Sequence, residues 1–562
     1  MSGRLTDPAG LDPVSLTILQ NALRSVTDEA YLALMKSAYS TNIKERHDHS
    51  IVLMDAQGRI VVQAERSLPG HVGATLGLLE AILERYGVDE IHPGDMFITN
   101  DPYKGGTTHL PDINISKPIF VDGRFVALIS TMAHHADMGG AAPGSMSSQL
   151  TNTYQEGIRI PAVKLFSEGK LNNDLFDFIL MNVRLPQERR GDYFAQVAAC
   201  NLGERRMAEL AERYSADVLE AAFDETITRT TRRIETALKR IPDGVYRFED
   251  VMDDDGFGAT NIALKLEIRV KDGYPVFDFT GSAPQVKGNI NCTYTATQRV
   301  IAYILKAILD PEIPTNQGMF ECFDLIAEEG TIVNATFPSA VANRSQTCQR
   351  ISDMIVGALA PALPDLVTAC SHGTTILAGF SGGYSKNKNG YVYFEVIAGG
   401  GGARATKDGK HGVMVHMTNT SNLPVEVIEM EYPLFVEGYE LVEDSGGLGK
   451  HCGGHALRRI VRPLEQPCYF EGNGERFTNQ PWGVFGGQPG KSGRFYLRND
   501  NGSTEDLPGK AAGVSIRLDQ SIVIEAPGGG GYGRFQERSK ADLERDRRTG
   551  NYSEAILAQA GA

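Results

Sequence analysis

Cysteine is scarce in this sequence and forms no paired motif. The 562 residues include only seven cysteines, at positions 200, 292, 322, 348, 370, 452 and 468, and no two of them make a CxxC pair. The chain also starts without the pattern of a signal peptide. Scattered cysteines in such a chain fit reduced thiols, so we expect a cytoplasmic protein.

Long apolar runs and an excess of positive charge are also missing. The most apolar windows, such as 300–309, are much shorter than the roughly 20 residues that a membrane span requires. The formal net charge is −15, whereas nucleic-acid binding depends on clustered Lys and Arg. We therefore expect a soluble protein that binds neither membrane nor nucleic acid. At 562 residues, two to four domains are expected.

The sequence contains no complete nucleotide-binding motif. Gly486 to Ser492 ends like a phosphate-binding loop, but it is one residue short of GxxxxGK[ST] and is followed by a strand pattern instead of a helix. Ser445 lies in a DSGG segment like that of serine proteases, but the His and Asp of a triad cannot be placed around it. If the reaction consumes ATP, we expect the ATP to bind elsewhere.

Periodicity predicts an α+β or mixed α/β multidomain protein. Apolar residues three and four apart indicate helices over 13–39, 187–214 and 216–240, and strict alternation over 262–270 indicates a half-buried strand. Dense glycine near residues 400, 450 and 530 predicts tight turns or crowded backbone contacts in a β-rich body. The predicted division is an N-terminal mixed domain (1–170), a helical segment (171–242), a mixed middle domain (243–390), a glycine-rich β domain (391–534) and a tail (535–562).

The stretch between Asp95 and Gly140 brings together five candidate polar residues, which are His109, Asp112, His134, His135 and Asp137. The turn signal at 121–123 separates two apolar runs, 113–121 and 125–132, which predict an antiparallel hairpin. His109 and Asp112 precede the first strand, and His134 follows the second. Because these two ends meet in a hairpin, we expect the three side chains to converge. Imidazole and carboxylate ligands of this kind suit a divalent cation such as Zn, Mn or Fe.

Further residues extend this predicted site. Asp48 begins a strand of an earlier hairpin and is a fourth candidate ligand. Seven of the 12 histidines lie before residue 136, which favours a shared site, although a single loop histidine is more often an ordinary polar group. The small, polar stretch 141–152 predicts a mobile loop, a candidate lid. Glu156 is a candidate acid or base, with a structural role as its alternative.

Six ordered blocks resemble one protein family. They are NDPYKGGTTHLPDINISKPIF, STMAHHADMGG, YQEGIRIPAVKL, MTNTSNLPVEVIEMEYP, EDSGGLGKHCGGHALRRIV and EAPGGGGYG, and they lie between residues 12 and 533. Together they resemble the hydantoinase B/oxoprolinase family, which includes the second subunit of ATP-dependent hydantoinases and lactamases, part of 5-oxoprolinase, and a large subunit of acetone-type carboxylases.

The resemblance implies a division of labour between two subunits. A hydantoinase A-like partner with an actin-like ATPase fold binds ATP and Mg and phosphorylates the carbonyl oxygen of a small cyclic amide. The activated species then passes to this subunit in a hetero-oligomer. The family's metal is held by a His-x-x-Asp pair and a later His, which match His109, Asp112 and His134 here. Asp48 is carried over with these three, and His135 is the main rival to His134.

Three functions follow from this resemblance. We favour ring opening of a hydantoin, 5-oxoproline or lactam, in which Glu156 or His135 moves the proton. The alternative is a subunit of an ATP-dependent ketone carboxylase of the acetone or acetophenone type, although carboxylase subunits of this family tend to be longer. The third is a non-catalytic scaffold whose histidines are structural.

Overall fold

The computed structural model describes residues 4–71, 73–385 and 388–558. The chain divides into two compact units, each made of separated stretches of sequence. Unit 1 comprises Met1–Ser145, Thr153–Arg240 and Leu305–Phe323, and unit 2 comprises Met146–Asn152, Ile241–Ile304 and Asp324–Ala562. The predicted mixed α/β multidomain class is confirmed. The change of unit after Arg240 lies near the boundary predicted at 243, while the five-part division stays a prediction.

Unit 1 contains a seven-stranded antiparallel sheet. Its strands are β1 (His49–Asp55), β2 (Ile60–Gln63), β3 (Met96–Thr99), β4 (Asp112–Val121), β5 (Arg124–His134), β6 (Val163–Ser167) and β7 (Lys170–Leu171). The strand order is β2-β1-β5-β4-β3-β6-β7, and every neighbouring pair is antiparallel. The predicted hairpin therefore forms the centre of the sheet as β4 and β5.

The helices of unit 1 are α1 (Pro13–Ser37), α2 (Thr41–Lys44), α3 (Leu78–Arg85), α4 (Thr153–Glu156), α5 (Asn173–Met181), α6 (Pro186–Ala211) and α7 (Ala216–Leu238). Among them, α1, α2, α6 and α7 contact the sheet. The Asp12 side chain caps α1 by accepting from the first-turn amides. The apolar spacing over 71–87 also predicts a helix, but α3 starts only at Leu78, because Gly73 and Gly77 adopt positive φ angles of 67° and 79°.

Unit 2 contains three sheets. The first has the order β11-β10-β9-β8, the second β13-β12-β16-β19, and the third β14-β15-β20-β17-β18. Their bounds are β8 (Gly244–Asp254), β9 (Thr260–Lys271), β10 (Tyr274–Asp278), β11 (Asp324–Ile326), β12 (Ile376–Ser385), β13 (Lys388–Ile397), β14 (Leu434–Leu441), β15 (Leu457–Pro463), β16 (Cys468–Asn473), β17 (Arg494–Asn499), β18 (Thr504–Leu507), β19 (Val514–Ser515) and β20 (Gln520–Glu525). The alternation predicted over 262–270 is confirmed, because the apolar residues of β9 are buried.

Helices in the second half of the chain are α8 (Tyr294–Leu309), α9 (Ser345–Leu359), α10 (Val425–Glu431), α11 (Lys540–Thr549) and α12 (Glu554–Leu557). The residues of α8 divide between the two units. The sequence also predicts a helix over 353–363, but α9 starts earlier, at Ser345, and the whole of α9 is buried apart from that first residue. Among the described residues, no helix combines the length and the apolar character needed to cross a membrane.

Three glycine-rich stretches of unit 2 contact one another through the main chain. The Gly454 amide donates to the Gly401 carbonyl at 2.8 Å, and the Gly529 amide donates to the Gly454 carbonyl at 3.0 Å. A Cβ atom on Gly453 would lie 1.9 Å from the Gly529 carbonyl oxygen. The crowded backbone contacts predicted from the glycine content are therefore present, and they leave no space for a side chain.

The C-terminal residues predicted as a tail pack on the glycine-rich part of unit 2. The Arg538 guanidinium, which is buried, donates to both carboxylate oxygens of Asp408 and to both of Asp546. The Tyr552 hydroxyl donates to the Gly446 carbonyl oxygen at 3.3 Å. Residues 559–562 of the predicted tail lie outside the described residues.

The stretch predicted as a mobile loop is packed instead. Residues 144–148 are buried. The Asn343 side chain donates to the Met146 carbonyl, and the Asn289 side chain donates to the Ser147 carbonyl, each within 2.9 Å. These contacts contradict a mobile lid. Small, polar residues predicted exposure here, but they are equally suited to close packing.

We expect Gly453→Ala to destabilise unit 2 by about 3 kcal/mol or more, because the new methyl group must displace main chain. Gly502→Asn is the matched control. Gly502 has a φ of 82°, and nothing lies within 4 Å of the position that its Cβ atom would take. Asn tolerates this conformation. Thermal unfolding of both purified variants tests the expectation. An unchanged melting temperature in Gly453→Ala would contradict the described packing.

Two buried histidines make the stability of unit 2 depend on pH. Burial lowers the pKa of His372 to about 4 and that of His455 to about 4. Between the ordinary pKa of 6.5 and these values, the unfolded chain binds protons that the folded chain does not. We therefore expect the melting temperature to fall as the pH is lowered from 6.5 toward 4. The fall should be shallower in His455→Asn, and an identical slope in that variant would contradict the assignment.

Candidate metal centre

The register of the central hairpin brings two of the candidate ligands, Asp112 and His134, together. Asp122 and Gly123 adopt φ angles of 53° and 78°, the left-handed conformation of a tight two-residue turn. This turn pairs Val121 with Arg124, and the register then shifts by one residue between Ile119 and Phe120, so that Asp112 pairs with His134 at the far end of the ladder. The two side chains therefore start from directly opposed positions on neighbouring strands.

The third ligand comes from the loop before β4. The His109 Nε2 atom lies 3.1 Å from Asp112 Oδ1, and the rings of His109 and His134 have centroids 5.1 Å apart. The loop is held by the buried Asn100 side chain, which donates to the Leu110 carbonyl at 2.9 Å and accepts from the Ile160 amide. One potential ligand atom from each of His109, Asp112 and His134 lies within 4.8 Å of the others.

Asp48 approaches this group from β1, on the other side of β5. The His134 amide donates to the Asp48 carbonyl at 3.0 Å, so the main chain of the two residues is in direct contact. The Asp48 Oδ1 atom lies 3.8 Å from His71 Nε2. The structure thus brings all four predicted ligands to the same end of the neighbouring strands β1, β5 and β4.

His71 is a member of this cluster that the sequence did not identify as a site residue. Its Nε2 atom lies 3.5 Å from Asp112 Oδ1, and its Nδ1 atom lies 3.0 Å from the Ser50 hydroxyl oxygen. His71 ends a short 3-10 helix, Pro69–His71. A segment of three residues shows no apolar periodicity from which the direction of the His71 side chain could be predicted. The only sequence signal was the concentration of histidines before residue 136.

The cluster is buried and its charge is balanced locally. His71, His109, Asp112, His134 and Asp48 are each at most 6% exposed. Burial raises the pKa of Asp112, but the neighbouring imidazoles of His109 and His71 lower it by more, so that it lies well below its ordinary value. Asp112 is therefore an ionised carboxylate. Two imidazoles and a buried carboxylate form a donor set that fits a divalent cation such as Zn, Mn or Fe.

An amide supports the ring of His134. The Asn42 Nδ2 atom lies 3.5 Å from His134 Nδ1, and the side-chain Oδ1 atom of Asn42 accepts from the Arg46 guanidinium at 2.9 Å. Because Arg46 can only donate, it holds the amide with its nitrogen toward His134. This contact holds the ring, but it is not the donation of a ring N–H to an oxygen that metal-binding imidazoles make.

His135 lies on the opposite side of the chain from His134. Its Nε2 atom is 3.0 Å from the Gln196 amide oxygen, and its ring packs against Tyr193, both on α6. Burial lowers the pKa of His135 to about 4. Successive side chains at the end of a strand point to opposite faces. The structure therefore places His134, and not its rival, beside Asp112.

Glu156 is fully buried at the end of α4. The carbonyl of its neighbour Gln155 accepts from the Ala141 amide at 2.8 Å, and the Ile158 amide donates to the Met138 carbonyl at 2.9 Å. These bonds hold the helix end against the segment that follows β5. The acid or base role of Glu156 stays a prediction.

The chain is similar to known proteins over almost its whole length. A family model described as Hydantoinase B/oxoprolinase matches residues 12–535. A protein of Pseudomonas sp. strain NS671, described as a putative subunit of a D-/L-hydantoinase, is 31% identical over 554 residues. The matched residues cover 96% of this chain and 93% of that protein.

Two solved structures share the fold. The ATP-dependent caprolactamase of Pseudomonas jessenii aligns with a TM-score of 0.89 at 26% identity, covering 97% of this chain and 95% of that one. An acetone carboxylase in its nucleotide-free state aligns with a TM-score of 0.88 at 18% identity, covering 98% of this chain and 79% of that one. The second likeness shows the fold alone.

We expect the purified chain to hold a divalent cation that His109→Ala loses, because the variant removes one of three clustered donors. His92→Ala is the control, since His92 is exposed and is close to the site only in sequence. Elemental analysis after gel filtration measures the bound metal. Equal metal content in His109→Ala and the unaltered chain would contradict the candidate centre.

Proposed function

The chain belongs to the hydantoinase B/oxoprolinase family, and from this premise we propose that it is the metal-dependent subunit of an ATP-dependent cyclic-amide hydrolase. The substrate class is a hydantoin, a 5-oxoproline or a lactam. Two relatives support hydrolysis, because one is named as a hydantoinase subunit and the other as a caprolactamase. The first name describes part of a larger enzyme and the second an ATP-dependent one, which supports action in a complex.

The convergence of His109, Asp112 and His134 carries this proposal. Their ligand atoms lie within 4.8 Å of one another, and these three residues would hold a divalent cation, with Asp48 as a fourth ligand. A cation there supplies Lewis acidity, which polarises an electrophile and eases the deprotonation of water near neutral pH. Burial of the site excludes bulk water and strengthens each electrostatic contact.

The substrate needs activation before this subunit can act on it. A ring amide is stabilised by resonance, and its carbonyl oxygen is a poor leaving group. We propose that a hydantoinase A-like partner, which binds ATP and Mg, transfers the terminal phosphoryl group of ATP to that oxygen. On this subunit a first water then adds to the activated carbon, and cleavage of the ring C–N bond leaves an acyl phosphate and a free amino group. A second water hydrolyses the acyl phosphate to a carboxylate and inorganic phosphate.

Glu156 is the group we propose for proton transfer in this reaction. A carboxylate can accept a proton from the attacking water and deliver it to the departing nitrogen. His135 was the other candidate, but its imidazole contacts Gln196 and Tyr193 on α6. That environment supports a packing role for His135. We therefore propose Glu156 as the acid or base.

A ketone carboxylase is the second candidate function. It follows from the family resemblance, which includes a large subunit of acetone-type carboxylases, and the fold shared with acetone carboxylase is compatible with it. In that reaction the same residues would hold the cation that orients an enolate toward carbon dioxide. Identification of the product separates the two functions, because ring opening yields an amino acid or its carbamoyl derivative, whereas carboxylation yields a β-keto acid.

We expect His109→Ala to lower product formation by the complex more than about 100-fold, because replacing even the outer contacts of a metal ligand costs about 10- to 100-fold. ATP hydrolysis by the partner should remain measurable. The assay combines this chain, its ATPase partner, ATP and a panel of cyclic amides, with product identified by mass spectrometry and His92→Ala as the control. Full product formation by His109→Ala would rule out the proposed site.

A further inference from the structure

We propose that His71 is a positioning residue, which holds the carboxylates of Asp48 and Asp112 toward the metal and is itself fixed by Ser50. This inference rests on the proposed function, because it concerns the same metal centre. Neither the family resemblance nor the spacing of the predicted ligands assigns a role to His71. Two observations support this role: the distances from the ring of His71 to the two carboxylates and its contact with the Ser50 hydroxyl group.

The ring of His71 faces two carboxylates from different parts of the chain. Its Nε2 atom lies 3.5 Å from Asp112 Oδ1, at the start of β4, and 3.8 Å from Asp48 Oδ1, just before β1. The ring is 2% exposed, so water does not compete for these oxygens. Within the described residues, His71 is thus placed to hold both side chains at once.

The chemistry of these neighbours decides where the ring carries its proton. Carboxylate oxygens accept hydrogen bonds, so the tautomer with its proton on Nε2 suits the Asp112 and Asp48 oxygens that this atom faces at 3.5 and 3.8 Å. In a neutral imidazole the Nδ1 atom then accepts. The Ser50 hydroxyl lies 3.0 Å from that atom and supplies the donor.

Ser50 is itself held firmly. It lies in β1, where it is paired with Met132 of β5, and it is buried. Its hydroxyl group therefore reaches His71 from a fixed position in the central sheet. The bond fixes both the tautomer and the rotation of the ring, which are the two properties that a positioning imidazole requires.

His71 acts through the carboxylates that it faces. Among the described residues, the atoms that cluster within 4.8 Å come from His109, Asp112 and His134, and the Nε2 atom of His71 faces Asp112 at 3.5 Å and Asp48 at 3.8 Å. An N–H directed at these carboxylates sets their direction. It also offsets the repulsion between two buried anions, which would otherwise turn the carboxylates apart.

Cobalt(II) binding by the full-length chain tests this inference, with the visible absorption of the bound ion as the spectroscopic readout. The metal-free protein is titrated with cobalt(II) in competition with a chelator. We expect His71→Leu to bind cobalt about 10- to 100-fold more weakly and with an altered spectrum. His71→Gln should recover part of the affinity, because its amide N–H can replace Nε2–H. His92→Leu is the control and should match the unaltered chain.

Each outcome separates the inference from the proposed function. If the unaltered chain and His109→Ala bind cobalt equally, the proposed function and the inference both fall. If the unaltered chain binds cobalt through His109 but His71→Leu has the same affinity and spectrum, only the inference falls. Equal weakness of His71→Leu and His71→Gln would likewise overturn positioning.

Ser50→Ala keeps the test decisive if His71→Leu does not fold. This variant leaves every carboxylate and imidazole in place and removes only the hydroxyl group beside Nδ1. We expect a smaller loss of cobalt affinity than in His71→Leu, with a spectral change of the same direction. Unchanged affinity and spectrum in Ser50→Ala would overturn the assigned role of the Ser50–His71 contact.

Discussion

The candidate metal centre depends on the strand register between β4 and β5. The turn at Asp122 and Gly123, together with the register shift between Ile119 and Phe120, pairs Asp112 with His134 at the other end of the ladder. Since side chains alternate between the two faces of a strand, a slip of one residue would place His135 beside Asp112 and send His134 into the core. The apolar residues of both strands oppose that slip, because it would bring them out of the core.

Burial gives the cluster its second constraint. Two carboxylates and three imidazoles occupy positions that are almost closed to water, and isolated ionised groups are costly in such places. In the proposed site a divalent cation would offset the charge of the Asp112 carboxylate, while Ser50 and His71 would orient the groups around it. Metal binding would then be linked to folding, because the candidate ligands come from separate stretches of unit 1.

The sequence predicted those features that a regular pattern encodes. The hairpin around residues 121–123 and the helix from Pro13 followed from alternation, helical spacing and turn residues, and the hairpin alone predicted the convergence of His109, Asp112 and His134. His71 was missed because a 3-10 turn has no period. The prediction for the packed stretch after Gly140 was wrong because small, polar residues suit both exposed loops and close contacts. The roles of Glu156 and Asp48 depend on chemistry that no pattern of residues encodes.

Anomalous X-ray scattering from crystals of the chain tests the central claim most directly. Data collected on both sides of the absorption edge of the metal found in the purified protein locate that metal without any assumption about ligands. The account predicts one strong peak within bonding distance of His109, Asp112 and His134. A fully occupied metal bound elsewhere in the chain, with these three side chains turned away from one another, would contradict it.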